Sequence, residues 1–337
     1  GLTGLESTQG ANEVVYQWSG AIQPTSAVVV AKMTSASTTC KLVVSTSASL
    51  ASPIISAAAT ASSSNNLMAK MTVTGLAPNT TYYYAIQSNG ITDNSSDDIG
   101  QFKTPASGPF SFRFTVGSCA VNSNHQVYTL MNAKTPLFHL STGDIHYANP
   151  NSATDINVHR LPYEQNMLSQ PPSRNFFLNT AMAHIWDDHD YGPNDADKSY
   201  PLKATSREVF MRYWNNPSGG FNDQGIYPKL NWNDVDIFML DDRWFRSNDH
   251  MQDSVHLLPN PGKKMLGDEQ MEWLKNALLH SNINKQVNFR IIAVGSQVLN
   301  PYSPWDCLYH FPSEYKELMT FIADNRINGV LFMSGDR

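Results

Sequence analysis

The sequence predicts a two-part chain of 337 residues, an antiparallel β-sandwich over residues 1–107 followed by an α/β domain over residues 108–337. Three observations predict it. Of 23 basic and 29 acidic side chains, only four lysines and five acids fall in the first 107 residues, and all ten histidines come later. The first part is rich in Ser, Thr, Ala and Asn and shows short β-branched runs between turn residues, as a small sandwich does. The second part alternates apolar strands with stretches of helical periodicity, the mark of a layered α/β domain. The segment Thr104-Pro105-Ala106-Ser107-Gly108-Pro109 is a Pro/Gly/Ser break between them.

In the first part, strands are expected over residues 14–18, 27–31, 40–44, 67–73 and 81–86, each rich in Val, Ile, Leu, Met or Tyr. Residues 75–84 join a Gly-Leu-Ala-Pro-Asn turn to Tyr82, Tyr83 and Tyr84. That run resembles the corner of fibronectin type III-like domains, where one tyrosine hydroxyl bonds back to the turn backbone. A carbohydrate-binding platform is the competing reading, and strand alternation, which sends successive tyrosines to opposite faces, argues for the corner. In the second part, strands are expected over residues 110–116, 135–140, 181–186, 235–240, 289–294 and 329–333. Helices are expected over residues 270–279, with Met271, Leu274 and Leu278 in phase, and over residues 315–325, with Leu318, Phe321 and Ile322 in phase.

Composition excludes several classes. A net charge of −6 and a pI near 5.9 argue against nucleic-acid binding through phosphate contacts. No run of about 18 apolar residues is present to span a membrane as a helix. Three cysteines do not make a disulfide scaffold, although Cys40 and Cys307 could pair. The scarcity of charge in the first part favours an exported protein, whether secreted, periplasmic or on the cell surface. Asn79-Thr80-Thr81 and Asn94-Ser95-Ser96 fit the glycosylation triplet, a common pattern by chance.

The chemistry gathers where the expected strands end. These ends read Gly117-Ser118-Cys119, Gly143-Asp144-Ile145-His146-Tyr147, Asp187-Asp188-His189-Asp190, Asp241-Asp242-Arg243 and Ser334-Gly335-Asp336-Arg337. In open α/β sheets, sites form at the carboxyl ends of strands. Carboxylates brought together there need a positive charge, and one or two metal ions would supply it. Asp and Tyr oxygens suit a hard cation such as Ca²⁺ or Fe³⁺, other divalent metals also fit, and a Cys119 thiolate favours a transition metal.

Together these pieces resemble the alkaline phosphatase D family, a branch of the calcineurin-like metallophosphoesterases, over nearly the whole chain. Residues 186–194 are the most specific part. The resemblance implies a four-layer α/β/β/α metallophosphatase domain preceded by an antiparallel β-sandwich like that of purple acid phosphatases. It implies Cys119, Asp144, Tyr147, Asp188 and Asp336 as metal ligands, with Asp144 bridging two metals and Tyr147 binding iron as phenolate. It implies that His189 contacts phosphate and protonates the leaving alkoxide. Asn194 is implied as a phosphate or metal contact. The activity implied is hydrolysis of small phosphate mono- or diesters by water that Ca²⁺ and Fe³⁺ make acidic, attacking in line. The family pattern continues beyond Ser-Gly-Asp-Arg with further ligands, so the catalytic domain is expected to be incomplete at its C-terminus.

Each residue also has a plainer reading. Cys119 alone would be a small buried hydrophobe, and Tyr147 alone a core or rim residue. Asp187 is a weaker ligand than Asp188 and could orient a neighbour. Arg243 either binds phosphate or pairs with Asp241 or Asp242. His139 and His184 read as core histidines, and His146 as turned away from Asp144 by strand alternation. The Pro-rich segment 298–313, with Trp305 and His310, reads as a pocket rim or as surface. Two further functions stay open: a phospholipase-type phosphodiesterase, and a surface-binding module with a structural metal.

Overall fold

The computed structural model describes residues 13–95, 98–121, 123–149, 157–168, 171–217 and 219–336. Ser96 of the second glycosylation triplet and Arg337 lie outside the described residues. Within them, strand Met68–Thr74 alternates buried and exposed positions along most of its length, as a strand with one wet face must. It pairs with Ser26–Met33, which pairs with Val14–Gln23. The facing sheet centres on Ser37–Ser45 and Thr81–Ser88, with Gly100–Lys103 along the latter. Tyr82 and Tyr84 are buried between the sheets, and the Tyr82 hydroxyl accepts a hydrogen bond from the Ala77 amide at 2.8 Å. This is the expected corner.

The sandwich is not a separate bead. Val14–Gln23 lies parallel to Ala181–Ile185, with Gly20 opposite Met182. One six-stranded sheet therefore runs Thr115–Gly117, Phe138–Thr142, Ala181–Ile185, Val14–Gln23, Ser26–Met33, Met68–Thr74. A side chain at Gly20 would strike the Met182 carbonyl and Asn215, so the junction needs glycine. Lys70 on the last strand donates to the carbonyls of Met211 and Trp214, at the end of helix Lys203–Tyr213.

A second sheet runs Lys229–Trp232, Val235–Met239, Phe289–Val294, Val330–Ser334, with the last three parallel. Its central strands are apolar on both faces, as buried parallel strands are. Ile237, Met239, Ile291 and Ala293 join the core shared with the first sheet. Phe238, Leu240, Ile292 and Val294 pack instead with helices Asp268–Ile283 and Pro312–Asp324. Helix Pro171–Asn179 covers the outer face of the first sheet. The layers are helix, sheet, sheet, helix, as expected.

Two local expectations change. Of the strand expected over residues 110–116, only Thr115 and Val116 form ladder bonds, within the strand Thr115–Gly117. Phe110, Phe112 and Phe114 alternate as in a strand, but they cluster on Phe138 and Trp232 rather than extend the sheet. Cys40 and Cys307 are both free thiols.

Glu314 begins helix Pro312–Asp324 and is fully buried. Its carboxylate accepts the backbone amides of Met265, Leu266 and Gly267. Glu314→Ala leaves three buried donors without an acceptor and is expected to cost about 3 kcal/mol. Urea unfolding at neutral pH reads that loss directly.

Candidate metal centre

The parallel strands Thr115–Gly117, Phe138–Thr142 and Ala181–Ile185 end side by side, which brings Cys119, Asp144 and Asp188 to one edge. The chain turns sharply there. Cys119, Asp144 and Asp336 all hold left-handed backbone, at φ 56°, 53° and 51°. Asp tolerates this conformation; for Cys it is uncommon and carries local strain. The turns interlock across the two sheets. A side chain at Gly335 would strike the Thr142 carbonyl and Ser118, so the strand end bearing Asp336 lies against the other two loops.

Asp144, Asp188 and His189 form the nucleus, with one ligand atom from each inside a 4.8 Å group. Asp144 and Asp188 are buried, and His189 is 9% exposed. The His189 amide bonds to Asp188 Oδ1 at 2.9 Å and to Asp144 Oδ1 at 3.3 Å. Cys119 Sγ lies 4.0 Å from Asp144 Oδ2. The Tyr147 ring centroid is 4.3 Å from that of His189, and its phenol faces Cys119 and Asp144. His189 Nδ1 meets Asn149 Oδ1 at 2.5 Å, which assigns the proton to Nδ1 and leaves Nε2 as the working nitrogen.

The electrostatics call for a cation. Burial, then the charges of Asp190 and Asp188, push Asp144 up to about 9. Burial pushes the Tyr147 phenol up, aided by Cys119 and Asp144. Burial also works against ionisation of Asp188, but Arg243 and the amides of Asp195 and His189 outweigh it and hold this carboxylate below its ordinary range. The donor set of carboxylates, thiol, phenol and imidazole therefore fits a metal: its negative charge is concentrated, and Arg243 offsets only part of it.

Asp190 organises this nucleus, although its motif alone assigned it no role. Its carboxylate accepts the amides of Asp144 at 2.6 Å, Ile145 at 3.0 Å and Asp187 at 3.0 Å. It thus clamps the two ligand loops to each other, and burial raises its pKa to about 7. Asp187 caps the turn Asp188–Tyr191 by accepting the Asp188 amide at 2.9 Å.

Several expectations are corrected. Arg243 is fully buried, and its guanidinium is held by Asp187 and Asp306. Its contact with Asp242 is 3.9 Å, and only its backbone amide meets Asp241. A phosphate outside cannot reach it, so Arg243 fixes Asp187 instead. Asp241 and Asp242 are engaged by other groups. Asp241 accepts from the Trp186 indole and the amides of Ile226, Arg243 and Trp244. Asp242 Oδ2 accepts from the amide and hydroxyl of Ser296. Asn194 is exposed and donates to Asp195, whose backbone amide is the group that reaches Asp188. His146 does turn from the nucleus, against Tyr163, but through a turn rather than strand alternation. His139 and His184 are buried, bonded to Thr115 and Ser141.

Comparison with known proteins decides the family. The family model described as PhoD-like phosphatase matches residues 114–337, and that of its N-terminal domain matches residues 17–106. The chain belongs to the PhoD-like phosphatase family. Alkaline phosphatase D of Bacillus subtilis (strain 168) is 26% identical over 311 residues, covering 78% of this PhoD-like chain and 52% of that protein. The chain thus spans about half the length of the curated relative it matches. A solved PhoD structure superposes with a TM-score of 0.79 at 18% identity, covering 98% of this chain and 73% of that one. The purple acid phosphatase PPD1 from yellow lupin (Lupinus luteus) seeds superposes with a TM-score of 0.56 at 13% identity, covering 85% and 51%. At these identities the superpositions show a shared fold. What the PhoD-like sequence leaves unsaid is the clamp of Asp190 and the buried arginine pairs, whose partners are remote along the chain.

Proposed function

We propose that this chain hydrolyses small phosphate mono- and diesters at a two-metal centre built on Asp144 and Asp188, with His189 beside them as the general acid. The convergence of these three side chains at the strand ends carries the reading. Asp144, with two oxygens to share, would hold both metals. Cys119 and Tyr147 would hold one of them with Asp144, and their donor chemistry leads us to assign it to Fe³⁺. Asp188 belongs to the second, which we assign to Ca²⁺. Asp336, on the strand end packed against Ser118, is the remaining ligand proposed. Bound cations would supply Lewis acidity toward the phosphoryl oxygens and an acidic water as nucleophile.

The chain's own groups do the rest. His189, oriented by Asn149 through Nδ1–H, acts in its doubly protonated form: Nε2–H faces the phosphate and passes its proton to the departing oxygen, and the neutral ring regains a proton from water. The left-handed turns at Cys119 and Asp144 hold the donors toward one point before substrate arrives. A cavity of about 350 Å³ adjoins Cys119, lined by Val121, Tyr128, Met131 and Phe177 among others, but His189, Asp144 and Asp188 do not line it. We read residues 1–107 as a fibronectin type III-like sandwich, residues 108–337 as the catalytic domain, and the protein as exported. Among the described residues, no helix is long and apolar enough to cross a membrane.

The test is hydrolysis of p-nitrophenyl phosphate and its bis ester after metal reconstitution, with elemental analysis of the purified chain. Iron on Tyr147 gives a visible phenolate charge-transfer band. A colourless, iron-free chain with full activity removes the Fe³⁺ assignment.

Metal removal has a definite pH signature. Asp144 and Asp190 titrate near 9 and 7 in the fold, against an ordinary 3.8, and burial raises Asp187 in the same direction. These acids bind protons more tightly folded than unfolded. Their contribution is complete below about pH 4 and is lost as pH rises through 7 to 9. The metal-free protein is therefore expected to melt at a lower temperature at pH 8.5 than at pH 6. Metal should raise the melting point more at the higher pH, because protons no longer compete for the ligands. Calorimetry with and without chelator checks both.

A further inference from the structure

We infer that Asp306 is a positioning residue for the metal centre, acting on Asp188 through Arg243 and Asp187. The inference rests on the metal reading above.

Asp306 sits between strand Phe289–Val294 and helix Pro312–Asp324, on the sheet opposite Asp188. Its Oδ1 accepts from Arg243 Nη2 at 2.8 Å and from Arg246 Nη2 at 2.7 Å. Both arginines are fully buried. Arg243 Nε donates to Asp187 Oδ1 at 2.5 Å, and that same oxygen caps the Asp188 amide. A continuous set of charge-assisted bonds thus joins the loop to the ligand turn.

The charge arithmetic makes Asp306 necessary. Two buried guanidinium groups need anions, because an unpaired buried charge is costly. Asp249 serves Arg246, at 2.7 Å. Asp187 serves Arg243 but is also occupied by the turn it caps. Among the described residues, Asp306 is the carboxylate whose hydrogen bonds join both arginines. Without it, Arg243 keeps a single strong partner and can draw Asp187 away from the turn. Asp188 would then lose its direction. Partners bonded directly to a ligand usually change metal affinity by about 10–100-fold, and Asp306, two links further out, is placed at the low end of that range.

A simpler role would be to tether the loop. The loop has a second tether, however: His310 Nδ1 meets Asp253 Oδ2 at 3.1 Å, and Lys263 binds Asp253 at 2.6 Å. Asp253→Asn loosens the loop without touching Arg243, so it separates tethering from positioning.

The experiment titrates Mn²⁺ into the chelator-treated chain and reads free Mn²⁺ by electron paramagnetic resonance. Asp306→Asn is expected to bind roughly 10-fold more weakly than wild type. Asp253→Asn, an exposed pair, is expected within about twofold. Equal weakening by the two variants, wild-type affinity in Asp306→Asn, or loss of a separate Mn²⁺ held directly by Asp195, Asp249 and Asp306 with the rest bound as in wild type overturns the proposal while leaving the metal reading intact. A wild-type chain that binds no Mn²⁺ overturns both. Coupling between sites is reciprocal, so one measurement needs no variant. Mn²⁺ is expected to slow amide exchange in the wild-type loop at Gln297, which bonds to the Asp306 carbonyl at 3.1 Å, and at Leu308. Unchanged exchange there also overturns the proposal.

Discussion

Asp144→Asn is expected to abolish phosphate-ester hydrolysis and remove bound metal, while leaving the metal-free fold as stable as wild type or more so. The opposed signs follow from one cause. Asp144 is buried beside Asp188 and Asp190, and its pKa of about 9 measures how unwelcome a third negative charge is without a cation. An amide of the same shape removes that repulsion. Near pH 8 the metal-free variant should gain on the order of 1 kcal/mol. It loses a charged oxygen that two metals would share, so activity falls well beyond the ~100-fold typical of an outer partner. Elemental analysis, steady-state kinetics and urea unfolding of the chelated protein read the three effects separately. A variant with full activity removes Asp144 from the centre.

His189→Gln should show its loss selectively. If His189 Nε2 protonates the leaving oxygen, an alkyl phosphate loses roughly 10²–10⁴ in kcat, the usual contribution of a general acid. A p-nitrophenyl ester leaves without a proton and should lose far less. Comparing the two esters isolates proton transfer from phosphate binding, which would lower both equally. Equal losses would return His189 to a binding or ligand role. Its place within 4.8 Å of the ligand atoms of Asp144 and Asp188 makes that outcome informative.

The strands were legible because their signal is local. Short runs of β-branched or aromatic residues between turns mark residues 27–31 and 81–86, and a mostly apolar run marks residues 289–294. The corner at Tyr82 was legible for the same reason, since Ala77 is five residues away. The expected strand over residues 110–116 misled because Phe110, Phe112 and Phe114 alternate without finding a ladder partner along their length. Sequence alternation reports which face is apolar, and hydrogen-bond pairing is a separate matter.

The candidate site divides along a similar line. Residues at the ends of parallel strands must gather on one edge, so the meeting of Cys119, Asp144 and Asp188 is legible in the sequence, and their roles as ligands remain a proposal. Arg243 could not be assigned that way. Its partners Asp187 and Asp306 lie 56 and 63 positions from it, on either side in the chain. Asp190 likewise clamps a loop 46 residues upstream. The insertion of the first sandwich strand beside Ala181–Ile185 left no local mark beyond one glycine. Periodicity and strand-end chemistry are short-range properties, written within a few residues. Which buried charge finds which counter-charge is settled only when distant segments exclude water together, and that belongs to the folded whole.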